Sequence, residues 1–300
     1  MRTRAWVVGL TAALMVAGCT SAGPGASRST DPHPSVSLHA SSSPSISTDA
    51  HSNVSVAGHI VIVMMENHSY SDIIGARSAP YLNGLARSGA SLTNMHAVTH
   101  PSEPNYLALF TGSTHEVAGD PCPLHLSGDN LAAQLRRAGR SFVGYSEGLP
   151  RTGSLACTAG SYARRHAPWT NFAALPASMN RPFSAFPSNY TQLPSVAIVV
   201  PDVDNDMHDG SIARGDAWVR RHLNGYATWA RTHASLLVIT WDEDDRSEGN
   251  RVPTIVVGAG VRSQRIAHEA TLYSLLRLVE GRLHLAYLGG ARSASAISLQ

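Results

Sequence analysis

The stretch Ile60-Val61-Ile62-Val63-Met64-Met65, followed at once by Glu66-Asn67, decides how this chain folds. It is a short apolar run, rich in β-branched side chains and closed by polar residues, and it reads as a strand. Runs of the same kind recur at Ser141–Tyr145, Val196–Val200, Leu236–Trp241 and Thr254–Val257. Between them the apolar spacing becomes helical: Leu131, Leu135 and Ala138 share one face over Asn130–Ala138, and Val219, Leu223, Tyr226 and Ala230 do so over Asp216–Ala230. Strands alternating with helices predict an α/β protein with a mostly parallel central sheet covered by helices. No internal repeat and no second linker breaks the chain beyond Gly58, so residues 58–300 read as one domain.

The residues just past the strands carry the chemistry. Glu66-Asn67 comes after the first, Asp202–Asp209 after the third, and Asp242-Glu243-Asp244-Asp245 after the fourth. Open α/β sheets bind ligands beyond the carboxyl ends of their strands, so the three acidic clusters are expected to face one crevice. Carboxylates gathered there repel one another unless a cation is present, and divalent metals with oxygen and imidazole ligands suit such a place. Asp216, before Ala217-Trp218-Val219, reads instead as a helix cap, and Asp244 and Asp245 as part of a solvated loop.

Of the 300 residues, 43% are hydrophobic and 15% charged, which suits a folded domain rather than a disordered chain. A net charge of +2 without a long basic run argues against nucleic acid as a partner. Met1-Arg-Thr-Arg4, an apolar run from Ala5 to Val16 and then Ala17-Gly18-Cys19 have the charged, apolar and small-residue sections of an export signal. The Val16-Ala17-Gly18-Cys19 ending resembles a bacterial lipobox, which implies cleavage before Cys19, lipidation of its thiol and anchoring to the outer face of the cell membrane. On this reading residues 1–18 are the signal peptide and residues 19–57, a Ser/Pro-rich mixture without apolar periodicity, are a tether. Cys122 and Cys157 then remain, and two spare cysteines in an exported protein are expected to pair as a structural disulfide.

Thr99-His100-Pro101-Ser102-Glu103-Pro104-Asn105-Tyr106 opens an apolar helical run that closes at Gly112. A serine there lies beside unpaired backbone N–H groups at the positive end of a helix dipole, where a phosphoryl group can bind. The plain alternative is that Ser102 is an N-cap. Ser102-Glu-Pro-Asn105 resembles the Ser/Thr-x-Pro-Asn nucleophile turn of the alkaline-phosphatase superfamily. More closely still, the chain resembles the bacterial phosphoesterase family that includes acid phosphatases and phosphatidylcholine-type phospholipases C. The likeness runs through Met65-Glu-Asn-His-Ser-Tyr70, Thr99–Tyr106, Asn205-Asp-Met-His-Asp-Gly210, Gly215-Asp-Ala-Trp218 and Thr240-Trp-Asp-Glu-Asp244, nearly the whole domain.

The resemblance implies an alkaline-phosphatase-like three-layer sandwich and metal-dependent hydrolysis of phosphate esters through a phosphoserine intermediate, in the manner of an acid-phosphatase-like phosphomonoesterase. It makes Ser102 the nucleophile, sets Glu66, Asn67, Asp242 and Glu243 around one or two divalent ions, and adds Asp206 as a further ligand. His208 is implied to touch metal or phosphate, and Asn67 to hold phosphoryl oxygens. His68, His96, His100 and His166 are weaker candidates for a direct role, with His100, two residues before Ser102, the best of them. Tyr145-x-Glu147-x-x-Pro150 is similar to a family segment expected at the pocket rim. The catalytic domain is read as a monomer.

One block departs from the family, which commonly has Thr-His-Tyr-Ser near the last helix where this chain has Thr271-Leu272-Tyr273-Ser274. A second metal site would lack that histidine unless His268 substitutes. Gly144-Tyr145-Ser146-Glu147-Gly148 fits the nucleophile elbow of a carboxylesterase, but Leu149-Pro150 would stop the helix such an elbow needs. A phospholipase C-type phosphodiesterase would use the same site, and a tethered pseudoenzyme would bind a phosphorylated ligand there without turning it over.

Overall fold

The computed structural model describes residues 58–300; the export signal, Cys19 and the tether lie outside the described residues. The elements run β1 (Ile60–Met65), α1 (Tyr70–Ile73), α2 (Pro80–Ser88), β2 (Ala90–Leu92), β3 (Met95–His96), α3 (Ser102–Thr111), α4 (Leu131–Arg137), β4 (Phe142–Ser146), β5 (Thr158–Ala159) and β6 (Tyr162–Ala163). They continue with β7 (Asn180–Pro182), β8 (Val196–Val200), α5 (Ile212–Ala230), β9 (Leu236–Trp241), β10 (Thr254–Gly258), β11 (Gln264–Ile266), β12 (Ala270–Thr271) and α6 (Leu272–Arg282).

Eight strands form the central sheet in the order β11-β2-β10-β9-β1-β8-β4-β7. β10 runs against both its neighbours, and the other pairings are parallel. All six side chains of β1 are buried between β8 and β9, because helices cover the sheet and leave this strand no wet face. That is why its sequence is continuously apolar rather than alternating. α2 and α5 pack together and on β10, while α3 packs on α4 and α6, giving the layered α/β sandwich. Among the described residues no helix is long and apolar enough to cross a membrane.

The sequence boundaries hold to within a residue or two for the strands. The helix expected over Asn130–Ala138 is Leu131–Arg137, with the Asn130 side chain accepting from the N–H of Ala133 as its N-cap. Asp216 is a correction. α5 begins four residues earlier, capped by Ser211, so Asp216 lies inside the helix and caps a different one. Its carboxylate accepts the N–H groups of Tyr81 (3.2 Å) and Leu82 (2.8 Å) in the first turn of α2. Cys122 and Cys157 are joined in a disulfide as expected.

Candidate active site

Glu66 follows the last residue of β1, and the parallel neighbours of that strand end beside it. Asp242, just past β9, donates its N–H to the Met65 carbonyl (3.1 Å), and Glu66 donates its own to the Asp206 carbonyl in the loop after β8 (2.9 Å). Parallel register thus gathers acids from three strands into one crevice. His166 completes the group, carried in on the tight turn Arg164–His166. Its Nε2 lies 3.3 Å from Glu66 Oε1 and its Nδ1 3.6 Å from Asp206 Oδ2. Glu66, His166 and Asp206 each offer a ligand atom within 4.8 Å of the others. Tyr106 stacks on the His166 ring, centroids 5.1 Å apart, and donates its hydroxyl to Glu66.

Burial holds the carboxyls of Glu66, Asp206 and Asp242 well above the usual range, with neighbouring carboxylates adding to the effect. Burial, then the charges of Arg165 and His208, push the His166 imidazole well below its ordinary value, so the ring is neutral and offers a lone pair. Both Asp242 oxygens, Asp206 Oδ2 and His166 Nε2 are buried without a hydrogen-bond partner. Buried acceptors left without donors are costly, and three carboxylates with a neutral imidazole are a donor set that fits a divalent cation. Asn67 adopts φ 46°, a left-handed conformation that Asn tolerates, and its Oδ1 is likewise buried and unpartnered. His208 stands further out, half-exposed and paired with Asp209 (2.7 Å), its ring 6.4 Å from that of His166.

Ser102 is the first residue of α3 and its side chain caps nothing, which removes the N-cap alternative. Its Oγ donates toward Glu66 Oε2 at 3.1 Å and lies 3.4 Å from Glu243 Oε1. Asn105 fixes the turn before it: Oδ1 accepts from the N–H groups of Val98 (2.9 Å) and Thr99 (3.0 Å), and Nδ2 donates to the carbonyls of Thr99 and Pro101. On the far side Glu243 is paired with His100 Nδ1, while His100 Nε2 lies 3.2 Å from Asp244 Oδ1. Glu243, expected among the metal ligands, is therefore engaged by His100 and Ser102. Asp244 is not the solvated acid expected; it is buried and accepts the N–H groups of Arg246, Glu248 and Asn250, whereas Asp245 is exposed. The helix start is also less open than expected, since Glu103 already donates its N–H to Asp120 Oδ1 (2.8 Å) and Pro104 has none.

The rival serine fares differently. Ser146 ends β4, buried and without a hydrogen-bond partner, and the chain continues into a turn rather than a helix. The glycines of that pattern have structural causes: a Cβ on Gly144 would meet the Trp169 ring at 2.1 Å, and Gly148 sits at φ +72°. Glu147 accepts from Asp202 N–H (3.1 Å), Asn205 Nδ2 (3.0 Å) and Trp218 Nε1 (3.0 Å), so it anchors the loop that carries Asp206 rather than lining a rim. Leu272 is buried at the start of α6, and the imidazole of the cluster comes from His166, not from His268, which is exposed. Nothing local marks His166, whereas Tyr106, four residues past Ser102, is legible as a residue on the same helix face.

A mostly parallel sheet with acids at its carboxyl edge and a serine opening a helix above them is an alkaline-phosphatase-like fold. The fold is similar to that of a protein in the alkaline phosphatase superfamily from Vibrio parahaemolyticus (TM-score 0.55, 11% identity, 81% of this chain and 71% of that one). The lipoteichoic acid synthase LtaP from Listeria monocytogenes is similar to the same degree (TM-score 0.55, 11% identity, 84% and 80%). The chain belongs to the Phosphoesterase family, whose model matches residues 75–286, and it is a hydrolase of phosphate esters. A phosphatidylinositol-3-phosphatase from Mycobacterium tuberculosis is 49% identical over 243 residues, 80% of this chain and 81% of that one. An acid phosphatase from Aspergillus fumigatus is 28% identical over 254 residues, 76% of this chain but 55% of that longer protein.

Proposed function

We propose that the chain is a metal-dependent phosphomonoesterase that works through phosphoserine at Ser102 and accepts phosphoinositide headgroups. The carrying observation is the Ser102 hydroxyl, buried between Glu66 and Glu243 beside an Asp242 carboxylate that has no donor of its own. The likeness to a phosphatidylinositol-3-phosphatase supports the headgroup assignment. Anchoring through Cys19 belongs to the same proposal and would hold the site at the outer face of a membrane.

Glu66, Asp206, Asp242 and His166 would hold the cation. When bound, it would lower the serine pKa and offset charge on the phosphoryl oxygens. Ser102 Oγ attacks phosphorus in line, the serine proton passes to a carboxylate already within hydrogen-bonding reach, and the bond to the ester oxygen breaks, that oxygen taking up a proton from water so that the alcohol leaves. Glu243 suits that task because His100 braces its other oxygen. Water then attacks the phosphoserine, the Ser102 oxygen leaves with a proton, and inorganic phosphate departs. Asn67 is placed to steady the group in transit.

The test is hydrolysis of p-nitrophenyl phosphate and of phosphatidylinositol 3-phosphate vesicles, with chelator and after divalent ions are restored, beside elemental analysis. Chelation is expected to abolish turnover and restoration to return it. Full activity in protein shown to be metal-free would contradict the metal assignment.

A further inference from the structure

Three segments meet on one flank of the domain: residues 75–88, which lead into α2 and form it, residues 175–194, and residues 212–233, which are α5 and the turn after it. Together they carry seven arginines and a single acid, Asp216, in a chain whose net charge is only +2. Asp216 is buried with its carboxylate on the N–H groups of Tyr81 and Leu82, so no exposed carboxylate of these segments offsets the arginines. Arg214 pairs with Asp204 (3.4 Å), Arg181 donates to the Ser178 carbonyl (3.0 Å), and Arg231 donates to the Ser88 carbonyl (3.1 Å). Arg77, Arg220 and Arg221 are exposed and make no ion pair among the described residues.

These three arginines line a cavity of about 610 Å³ beside Ser78 and Asn224. Arg221 also forms a wall of a second cavity, of about 360 Å³, lined by Phe183, Phe186, Pro187, Tyr190 and His222. The aromatic rings there are half-buried, Phe183 packing on Trp218 at 5.0 Å and Tyr190 on Tyr226 at 5.4 Å between centroids. A cationic hollow and an aromatic one thus share a side chain. A merely solvated basic face would need no aromatic neighbour. The headgroup boundary of a bilayer presents the matching pair, phosphate at one level and apolar carbon just beneath, and an anionic leaflet attracts positive charge to its surface. Aromatic side chains with a polar handle, such as Tyr190, suit that boundary. The first described residues lie on the same flank, Gly58 donating its N–H to the Ala234 carbonyl just past α5 (2.7 Å) and the His59 ring standing 5.9 Å from that of Trp229. The tether read in residues 19–57 would join the domain there.

We propose that the flank built by α2, α5 and residues 175–194 docks on an anionic lipid surface. Arg77, Arg220 and Arg221 take the headgroup phosphates, and the hollow lined by Phe183, Phe186 and Tyr190 receives apolar carbon at the headgroup boundary. Charge complementarity carries the assignment, because exposed guanidiniums with no carboxylate among them gain most from a surface of opposite sign. Docking asks nothing of Ser102 or of a bound metal, so it stands or falls apart from the phosphatase reading.

Vesicle co-sedimentation is the test, on phosphatidylcholine alone and on phosphatidylcholine mixed with phosphatidylglycerol. Every protein is the full chain with Cys19→Ser, which removes the thiol a lipid would occupy, so that binding reports on the domain. This parent is expected to bind the anionic vesicles, to be released by high salt and to ignore the neutral ones. Arg220→Ala combined with Arg221→Ala should lower the partition coefficient by about 10- to 30-fold with an unchanged thermal melt. Arg220→Lys combined with Arg221→Lys should keep most of the binding, since a leaflet reads charge rather than the guanidinium fork. Phe186→Ala should weaken binding by about 3- to 10-fold at any salt concentration, through lost apolar burial. Arg136→Ala, on the exposed face of α4 in the layer of α3 and α6, should change it by less than about 2-fold, because that side chain would stand beyond a Debye length from the leaflet. Equal binding to neutral and anionic vesicles, or binding to neither, overturns the proposal. So does a loss in Arg136→Ala equal to that of the paired alanine variant, which would make the effect one of net charge alone. Calorimetric saturation by glycerol 3-phosphate without vesicle binding would assign the arginine-lined cavity to a soluble phosphate ester and likewise overturn docking.

Discussion

Ser102 stands between two groups built from the same parts and finished differently. On one side Glu66, His166 and Asp206 are wholly buried, and His166 faces its two carboxylates at 3.3 and 3.6 Å with Nε2 unpartnered. On the other, His100 pairs with Glu243 and Asp244 at once, and Asp244 takes three backbone N–H groups besides. The first group has too few protons to satisfy its acceptors; the second is saturated. An acid-histidine-acid set fits a cation where donors run short, Asp206 taking a single backbone N–H from His208 at Oδ1, and it braces a neighbouring side chain where the backbone supplies donors in number.

The serine between the groups gives the largest expected effect. Ser102→Ala is expected to lower kcat by at least about 10³-fold with the fold intact, whereas Ser146→Ala, whose hydroxyl touches no acid or base, leaves kcat near wild type. The reverse ranking, read from kinetics and circular dichroism, would restore the esterase alternative. His166→Gln and His100→Gln sharpen the comparison of the flanks. Loss of His166 should reduce bound metal and activity by about 10- to 100-fold, while loss of His100 retains the metal and lowers kcat by loosening Glu243. Equal metal loss in the two variants, by elemental analysis, would erase the distinction between seat and brace.

Replacing Cys122 and Cys157 by serine is expected to destabilise the domain by about 2 to 4 kcal/mol through a loop spanning 35 residues, measured by denaturant unfolding. A variant as stable as wild type would show that the bond contributes little. The smallest effect belongs to Glu280, a buried acid outside the crevice that separates burial from metal binding. It accepts Leu288 N–H at 2.9 Å, its Oε2 has no partner, and burial pushes its carboxyl up to about 7. The folded state therefore keeps this proton to a higher pH than the unfolded chain, and stability falls as pH rises from about 4.5 toward about 7. Glu280→Gln should melt above wild type at pH 8 and converge with it near pH 5, with or without divalent ions. A gain as large at pH 5 as at pH 8 would rule out that ionisation as the cause.

The sheet and two acids of the crevice are legible in the sequence because Glu66 and Asp242 each follow an apolar run directly, and parallel register brings them together, whereas Asp206 lies further on in the loop after β8, which Glu147 anchors. His166 is not, since it arrives on a short turn with no periodicity, placed by neighbours far away in the chain such as Tyr106. Asp244 and Asp216 mislead for one reason. Both bury their carboxylates on backbone N–H groups supplied by a loop or a separate helix, and local composition does not report that supply. Ser102 is visible through its motif, but the competition of Asp120 for the neighbouring N–H emerges only in three dimensions.

Acid quenching during turnover of p-nitrophenyl phosphate, followed by peptide mass spectrometry of wild type and Ser102→Ala, reads out whether Ser102 carries the phosphoryl group. One phosphoryl group is expected on the wild-type peptide that carries Ser102, dependent on divalent metal, and none in the variant. Phosphorylation at another residue would contradict it, as would metal-dependent turnover that persists undiminished in Ser102→Ala.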